Sequence, residues 1–180
     1  MAKIGVFVGS LRKESFSKKI ANNVMDLFHD EHDVQLIEIG HLPFYNQDFD
    51  DENKVPTEIE TFRNEMKTYD GFIFVTPEYN RTVPAVLKNA LDIGSRPKPE
   101  NVWNHKPAGI ISQSPGLLGG FGANHHLRQS LTALNMPIVQ QPEVYLSNSA
   151  QLLDENNKIT NEGTIDFLQS FVDTFLQLIK

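Results

Sequence analysis

Gly71-Phe72-Ile73-Phe74-Val75-Thr76-Pro77-Glu78-Tyr79-Asn80 is the stretch that decides the fold, and a helical pattern from Pro84 to Asp92 follows it. A short apolar run that ends in turn residues and precedes a helix predicts a buried strand followed by a βα loop. In open α/β sheets, ligands bind at the carboxyl ends of the strands. The polar tetrapeptide Pro77–Asn80 is therefore the first candidate for a functional site.

The same alternation of strand and helix patterns recurs along the 180 residues. Apolar runs predict five strands, at Lys3–Val8, Val34–Ile39, Gly71–Thr76, Ala108–Ser112 and within Ile138–Leu146. Such alternation implies a parallel sheet with right-handed crossovers. We expect a three-layer α/β fold, flavodoxin-like, with strand order 2-1-3-4-5 and helices on both faces. A single domain spanning residues 1–180 is the expectation at this length.

Three further segments have a predicted structure. Residues 40–54 are expected to form a long loop, and its acidic side chains at positions 48 and 50–52 are expected to be solvated. Ile59, Phe62 and Met66 recur at helical spacing and predict a helix with a buried face. The last helix is expected to begin near Thr160.

Composition restricts the classes of function. A formal net charge of −7 and a pI near 5.3 argue against nucleic acid or an anionic membrane as the main partner. The chain has no cysteine, which excludes disulfides, thiolate metal sites and thiol redox chemistry, so any redox activity needs a bound cofactor. The apolar run at Ile4–Val8 is too short for a signal peptide or membrane span, so we expect a cytoplasmic protein.

The loop after the first strand has the composition of a phosphate site. The hydroxyls of Ser10, Ser15 and Ser17 lie at the start of a predicted helix, whose free N–H groups favour anions. Arg12 adds a donor of bidentate hydrogen bonds. The spacing matches neither a Walker A motif nor GxGxxG. A serine that only caps the helix remains the alternative.

The predicted strand order brings the loops after strands one, three and four to one edge of the sheet. Consecutive N–H groups near Tyr79 could bind the edge of a planar ring, with the tyrosine as an aromatic wall, although a solvated turn would have the same composition. The glycines in 116–122 let the backbone lie against a ligand, or simply form a flexible loop. Together these features describe a phosphate pocket joined to a slot for a flat heteroaromatic, which fits FMN.

Several ordered motifs resemble the NADPH-dependent FMN reductase family, most closely its bacterial quinone or chromate reductase and azoreductase-like members. They run from Ala2 to about Leu146 and comprise Gly9-Ser10-Leu11-Arg12-Lys13, Leu42–Asp48, Pro77–Asn80, Leu87–Asp92, Ser114–Gly120 and Leu127–Gln129. The resemblance implies a flavodoxin-like fold, bound FMN, and hydride transfer from NAD(P)H through flavin N5 to a small acceptor, by a ping-pong mechanism. Quinones, azo or nitro compounds, metal oxyanions and free flavin are the acceptors it suggests. It also implies a homodimer or homotetramer.

The resemblance assigns cofactor-binding residues by position. The phosphate-binding stretch comprises Ser10, Arg12, Ser15, Phe16 and Ser17. The residues that line the isoalloxazine ring are Pro77, Glu78, Tyr79 and Asn80, and those on its other side are Ser114, Gly116, Gly119 and Gly120. Family members often have asparagine at the position of Ser17. No catalytic side chain is assigned, because the flavin supplies the chemistry.

Two other functions stay open at this stage, namely a flavodoxin-type electron carrier and a flavin-binding module without turnover. No metal site is expected, since the adjacent His125 and His126 point about 100° apart on a helix. Trp103 is predicted either to pack within the 97–107 loop or to cover a neighbouring subunit's flavin.

Overall fold

The computed structural model describes residues 1–179, which fold into strands and helices in regular alternation. Its elements are β1 (Lys3–Val8), α1 (Phe16–Met25), β2 (Asp33–Ile37), α2 (Asp48–Asp51), α3 (Thr57–Met66), β3 (Gly71–Pro77), α4 (Ala85–Gly94), β4 (Ala108–Gln113), α5 (Phe121–Ala133), β5 (Val144–Leu146) and α6 (Glu162–Leu178).

The five strands form one parallel sheet in the order β2-β1-β3-β4-β5, so the predicted flavodoxin-like topology is confirmed. Every residue of β4 is buried, as are the first six residues of β3. Unbroken burial of this kind is typical of a parallel strand that is covered on both faces.

An apolar cluster lies on each face of the sheet, which gives the three predicted layers. One cluster contains the inward side chains of α3, α4 and α5, including Phe62, Leu91 and Leu131. The other contains those of α1 and α6, including Ile20 and Phe171. The helices therefore cover both faces and leave the carboxyl edge of the sheet open to ligands.

Trp103 belongs to the first of these clusters. Its ring is fully buried and lies edge-on to Phe72, with ring centroids 5.1 Å apart. The indole Nε1 donates a hydrogen bond to the Leu91 carbonyl at 2.9 Å. The structure thus decides the question that the sequence left open, because this tryptophan is part of the monomer's own core.

The segment 40–54 differs from its prediction. It contains the short helix α2 rather than an uninterrupted loop, and Asp50 is not solvated, since only 11% of its side chain is exposed. Its carboxylate accepts two hydrogen bonds from the Arg63 guanidinium, at 2.7 and 2.9 Å, and one from the Tyr45 hydroxyl at 3.0 Å. Asp50 is buried because Arg63, in α3, supplies the charge and the hydrogen bonds that its carboxylate needs.

Smaller differences concern where elements end. The second strand was predicted at 34–39 and is found at Asp33–Ile37. The last helix begins at Glu162, two residues after the predicted start. None of the helices in residues 1–179 is both long and apolar enough to cross a bilayer.

Candidate functional site

The loops that follow β1, β3 and β4 converge at the carboxyl edge of the sheet, as predicted, and enclose a cavity of about 220 Å³. The residues that line it are Ser10, Arg12, Ser15, Phe16, Pro77, Glu78, Tyr79, Gln113, Ser114 and Pro115. This is the place where an open parallel sheet is expected to bind its ligand.

The amino terminus of α1 forms one end of the cavity. Ser15 is the N-cap, and its Oγ accepts a hydrogen bond from the N–H of Lys18 at 3.2 Å. The Ser10 Oγ accepts from the N–H of Arg12 at 3.4 Å, which folds the loop back on itself. The first N–H groups of a helix have no partner within it, and the helix dipole is positive at this end. An anion is therefore favoured here although the chain is acidic overall.

The loop after β3 forms the opposite wall. The N–H of Tyr79 donates to the Thr82 carbonyl at 3.1 Å, and the N–H of Thr82 donates back at 3.0 Å. Asn80 and Arg81 lie between them with φ of 50° and 66°, the left-handed pair of a type I′ turn. The tight turn holds the Tyr79 ring, which is 48% exposed, against the cavity.

Glu78 connects this wall to the next helix. Its carboxylate accepts a hydrogen bond from the N–H of Ala123, in the first turn of α5, at 3.1 Å. It also pairs with Arg81 at 3.3 Å, and only 12% of its side chain is exposed. Gly120, the N-cap of α5, has no side chain to cap the helix. The carboxylate of Glu78 supplies that cap from another loop.

The loop after β4 closes the third side. Ser114 lines the cavity, and its hydroxyl donates to the Gly116 carbonyl at 3.1 Å. Gly119 and Gly120 have φ of 56° and 74°. A Cβ on Gly119 would lie 2.7 Å from the Tyr145 backbone, and one on Gly120 would lie 3.0 Å from Ser112 Cβ. These two glycines are required where the loop packs on β4 and β5.

Five predicted site residues lie outside the cavity lining, namely Ser17, Asn80, Gly116, Gly119 and Gly120. Ser17 is fully buried and its Oγ accepts a hydrogen bond from Gln113 Nε2 at 2.8 Å. Asn80 shapes the turn. Their contact with a cofactor stays a prediction.

Two lining residues, Gln113 and Pro115, were missing from the predicted set. Their positions in the sequence pointed to the site, because both residues are neighbours of Ser114. The structure adds that β4 pairs with β3 in a register that places Gln113 beside Pro77. The fourth strand was predicted to end at Ser112 and is found to end at Gln113. In the predicted loop, only the glycines and Ser114 were assigned to the cofactor.

The arrangement can bind a ligand that is anionic at one end and flat at the other. A cavity of about 220 Å³ is smaller than the ~300–1,000 Å³ of most ligand pockets. A ligand of nucleotide size would therefore lie partly outside it, with part of its surface accessible to a second molecule. Within residues 1–179, no group of three or more His, Asp and Glu side chains is arranged to hold a metal ion.

A helix amino terminus and an aromatic side chain that share one cavity at the carboxyl edge of a flavodoxin-like sheet are typical of proteins that bind flavin mononucleotide. Comparison with known sequences agrees with this class. Residues 2–151 match the NADPH-dependent FMN reductase family. The chain belongs to that family, and is an oxidoreductase with FMN as cofactor and NAD(P)H as co-substrate.

Individual relatives match over almost their whole length. A protein named quinone reductase from Pseudomonas putida is 48% identical, with 98% of this chain and 94% of the relative covered. A 2-hydroxy-1,4-benzoquinone reductase from Burkholderia sp is 39% identical, with 99% and 96% covered. In structure, the flavoenzyme FerB, an NAD(P)H:(acceptor) oxidoreductase from Paracoccus denitrificans, aligns with a TM-score of 0.91 at 34% identity, over 99% of this chain and 97% of FerB.

Proposed function

We propose that the protein is an FMN-dependent NAD(P)H:quinone oxidoreductase whose cofactor binds in the cavity at the carboxyl edge of the sheet. The observation that supports this assignment most directly is the junction of an anion-binding helix terminus with an aromatic wall in one cavity. FMN, when bound, would supply the redox chemistry, namely the transfer of a hydride equivalent from NAD(P)H to an acceptor. The protein supplies binding and orientation.

The phosphate of FMN would be held at the α1 end. Ser10 and Ser15 supply hydroxyls there, and Arg12 supplies a guanidinium at the exposed rim. Phe16 and Ser17 are the first two residues of α1, so their N–H groups have no partner within the helix and would donate to the phosphate. The positive end of the helix dipole adds to the attraction.

The flavin ring would lie between the loops after β3 and β4. Pro77–Asn80 would line one side, with the Tyr79 ring as a wall, and Ser114, Gly116, Gly119 and Gly120 would line the other. The N–H of Tyr79 already donates to the Thr82 carbonyl, so the N–H of Asn80 would be the donor that stabilises negative charge on the reduced flavin.

A quinone is the acceptor that the cavity rim favours. Leu11, which lies between two lining residues, is 61% exposed, and Tyr79 is 48% exposed. Exposed apolar side chains beside a site favour a flat, largely apolar substrate. Quinones are also the compounds that the names of two relatives give as their substrates. We propose that the enzyme also reduces other acceptors, namely azo compounds, nitro compounds, metal oxyanions and free flavin.

A ping-pong order follows if NAD(P)H and the quinone use the same open side of the cavity in turn. Initial rates measured against one substrate at several fixed concentrations of the other should then give parallel double-reciprocal lines. Lines that converge would show that both substrates bind together, which a shared opening does not allow.

Location and assembly are proposals of the same kind. We propose a cytoplasmic homodimer or homotetramer, and the family resemblance supports this assembly. Sedimentation of the FMN-loaded protein tests the assembly, and a mass equal to one chain of 20.4 kDa would contradict it.

The cofactor assignment is tested by a matched pair of charge deletions. Arg12→Ala removes a cation that lines the cavity, whereas Lys13→Ala removes its exposed neighbour that does not line it. Loss of a charged hydrogen bond to phosphate should raise the Kd for FMN about 10- to 100-fold for Arg12→Ala. Lys13→Ala should change it about twofold at most. Riboflavin, which has no phosphate, should bind both variants equally. Equal effects of the two substitutions on FMN would place the phosphate elsewhere.

A further inference from the structure

Gln113 has an unusual position for a polar side chain at the end of a central strand. Only 4% of the residue is exposed, yet it is one of the residues that line the cavity. It lies beside Pro77 in the sheet register, and Ser114 and Pro115 follow it in the loop. It therefore lies between the α1 end of the cavity and the two loops that form its other end.

Ser17 fixes one end of the Gln113 amide. Nε2 donates to the Ser17 Oγ at 2.8 Å, across 96 positions of sequence, and Ser17 is fully buried in α1. A hydrogen bond buried this completely holds the side chain in one orientation. The donor end of the amide is thereby directed to α1, and the carbonyl end is left for another partner.

The side-chain carbonyl oxygen of Gln113 has no hydrogen-bond partner in the part of the chain that the structure describes. This atom, Oε1, is also shielded from water. Buried polar atoms are almost always paired, because an unpaired one loses its hydration without compensation. An unpaired acceptor in the wall of a ligand cavity indicates that the ligand supplies the donor.

The groups that FMN offers decide which of its parts can donate a hydrogen bond to Gln113 Oε1. The phosphate of FMN offers only acceptors, so it is no partner for Oε1, and the flavin ring is assigned to the outer loops. The ribityl chain connects these two parts of FMN and has hydroxyl groups that can donate. We infer that Gln113 binds the ribityl chain, with Oε1 accepting a hydrogen bond from one ribityl hydroxyl while Nε2 stays bonded to Ser17. This inference rests on the proposed function and assigns Ser17 the role of holding Gln113.

A double variant tests the inference without leaving a new unpaired atom. Gln113→Met with Ser17→Ala replaces both partners of the buried hydrogen bond by apolar groups, a change that is close to neutral for folding. Gln177→Met, on the exposed side of α6, is the matched control. The full-length apoprotein is titrated with FMN, with riboflavin, and with lumiflavin, which is the ring without the ribityl chain.

We expect the double variant to bind FMN and riboflavin about five- to tenfold more weakly, by the same factor, and lumiflavin as the wild type does. The apoprotein should unfold at the same temperature as the wild type or higher, because the variant lacks the unpaired oxygen. Unchanged FMN affinity would overturn the inference. A loss confined to FMN would overturn the inference too, because it would show that the amide or the Ser17 hydroxyl acts on the phosphate. A loss that includes lumiflavin would show an effect on the ring or on the fold.

The result also separates this inference from the proposed function. If the wild-type apoprotein binds none of the three flavins, the proposed function fails and the role of Gln113 fails with it. If the wild type binds FMN tightly and the double variant binds it equally well, only the role of Gln113 is refuted.

Discussion

Removing one partner of the ion pair between Asp50 and Arg63 should be among the most destabilising single substitutions outside the apolar core. The two side chains are only 11% and 8% exposed, and two hydrogen bonds of 2.7 and 2.9 Å join them. Arg63 Nε also donates to the Ile93 carbonyl at 3.0 Å, so the guanidinium is fixed in place. The pair ties the segment 40–54 to α3 and α4.

Asp50→Asn leaves the guanidinium of Arg63 buried without its counter-charge. Breaking one side of a buried pair costs about 3–5 kcal/mol, and the remaining exposure favours the lower end, about 3 kcal/mol. For a chain of this length, that free energy corresponds to a fall in Tm of about 6–12 °C. Urea unfolding followed by circular dichroism gives the free energy directly.

Asp51→Asn is the matched control, because Asp51 is the exposed neighbour in the same short helix. It should change the free energy of unfolding by about 0.5 kcal/mol or less. Replacing both partners, as Asp50→Leu with Arg63→Met, should recover most of the lost stability, since no buried charge remains. Equal effects of the two asparagine substitutions would refute the reasoning.

The pH dependence of the same pair has a defined sign. Hydrogen bonds from Arg63 hold the pKa of Asp50 below its usual value of 3.8. A carboxyl with a lowered pKa in the folded protein stabilises it fully above the unfolded pKa and loses that contribution as the pH falls through the folded pKa. The stability difference between wild type and Asp50→Asn should therefore be constant near neutral pH and shrink below about pH 4.

Further predictions follow from the core, the tyrosines and the α5 cap. Gly94→Ala should destabilise the protein by about 1–3 kcal/mol and shift tryptophan emission to the red, because the new Cβ would lie 2.5 Å from the buried Trp103 ring. Gly163→Ala, whose Cβ would meet nothing closer than 3.5 Å, should be neutral or stabilising in the same urea assay. Burial raises the pKa of Tyr69 and that of Tyr145 to about 12, so phenolate absorbance should show a late step whose amplitude Tyr69→Phe halves. The stability contributed by that neutral phenol is complete below pH 10 and lost as the pH rises through 12, and a titration complete by pH 11 would contradict the burial argument. Glu78→Ala should cost about 1–2 kcal/mol in thermal unfolding and Glu78→Gln less, because the amide still caps α5; parity with the exposed Glu155→Ala would contradict the cap.

The sheet and the position of the site were predictable because they depend on local patterns. The apolar runs of β1, β3 and β4 indicate buried strands without knowledge of their neighbours. Because the carboxyl ends of neighbouring parallel strands lie at one edge of the sheet, the loops that follow these strands are expected to meet there. Ser10, Arg12 and Tyr79 were identified in this way and line the cavity. A resemblance to known motifs reinforced the same positions.

The rest depends on contacts between distant positions, which a single sequence does not display. Asp50 looks like any acid in a hydrophilic loop until Arg63 lies beside it. Gln113 looks like an ordinary loop residue until its amide donates a hydrogen bond to Ser17. Trp103 follows a proline-containing loop, and only the folded chain shows its ring packed edge-on to Phe72. In each case the deciding partner is supplied by another element of the fold.

The central claim is that the cavity holds FMN in a form that NAD(P)H reduces. The direct test is to load the purified protein with FMN, exclude oxygen, add NADPH, and follow the visible absorbance of the flavin, with NADH in a parallel sample. We predict rapid, stoichiometric bleaching, far faster than for free FMN. Protein-bound flavin that stays oxidised with both nucleotides would contradict the account and favour an electron carrier that is reduced by a protein partner.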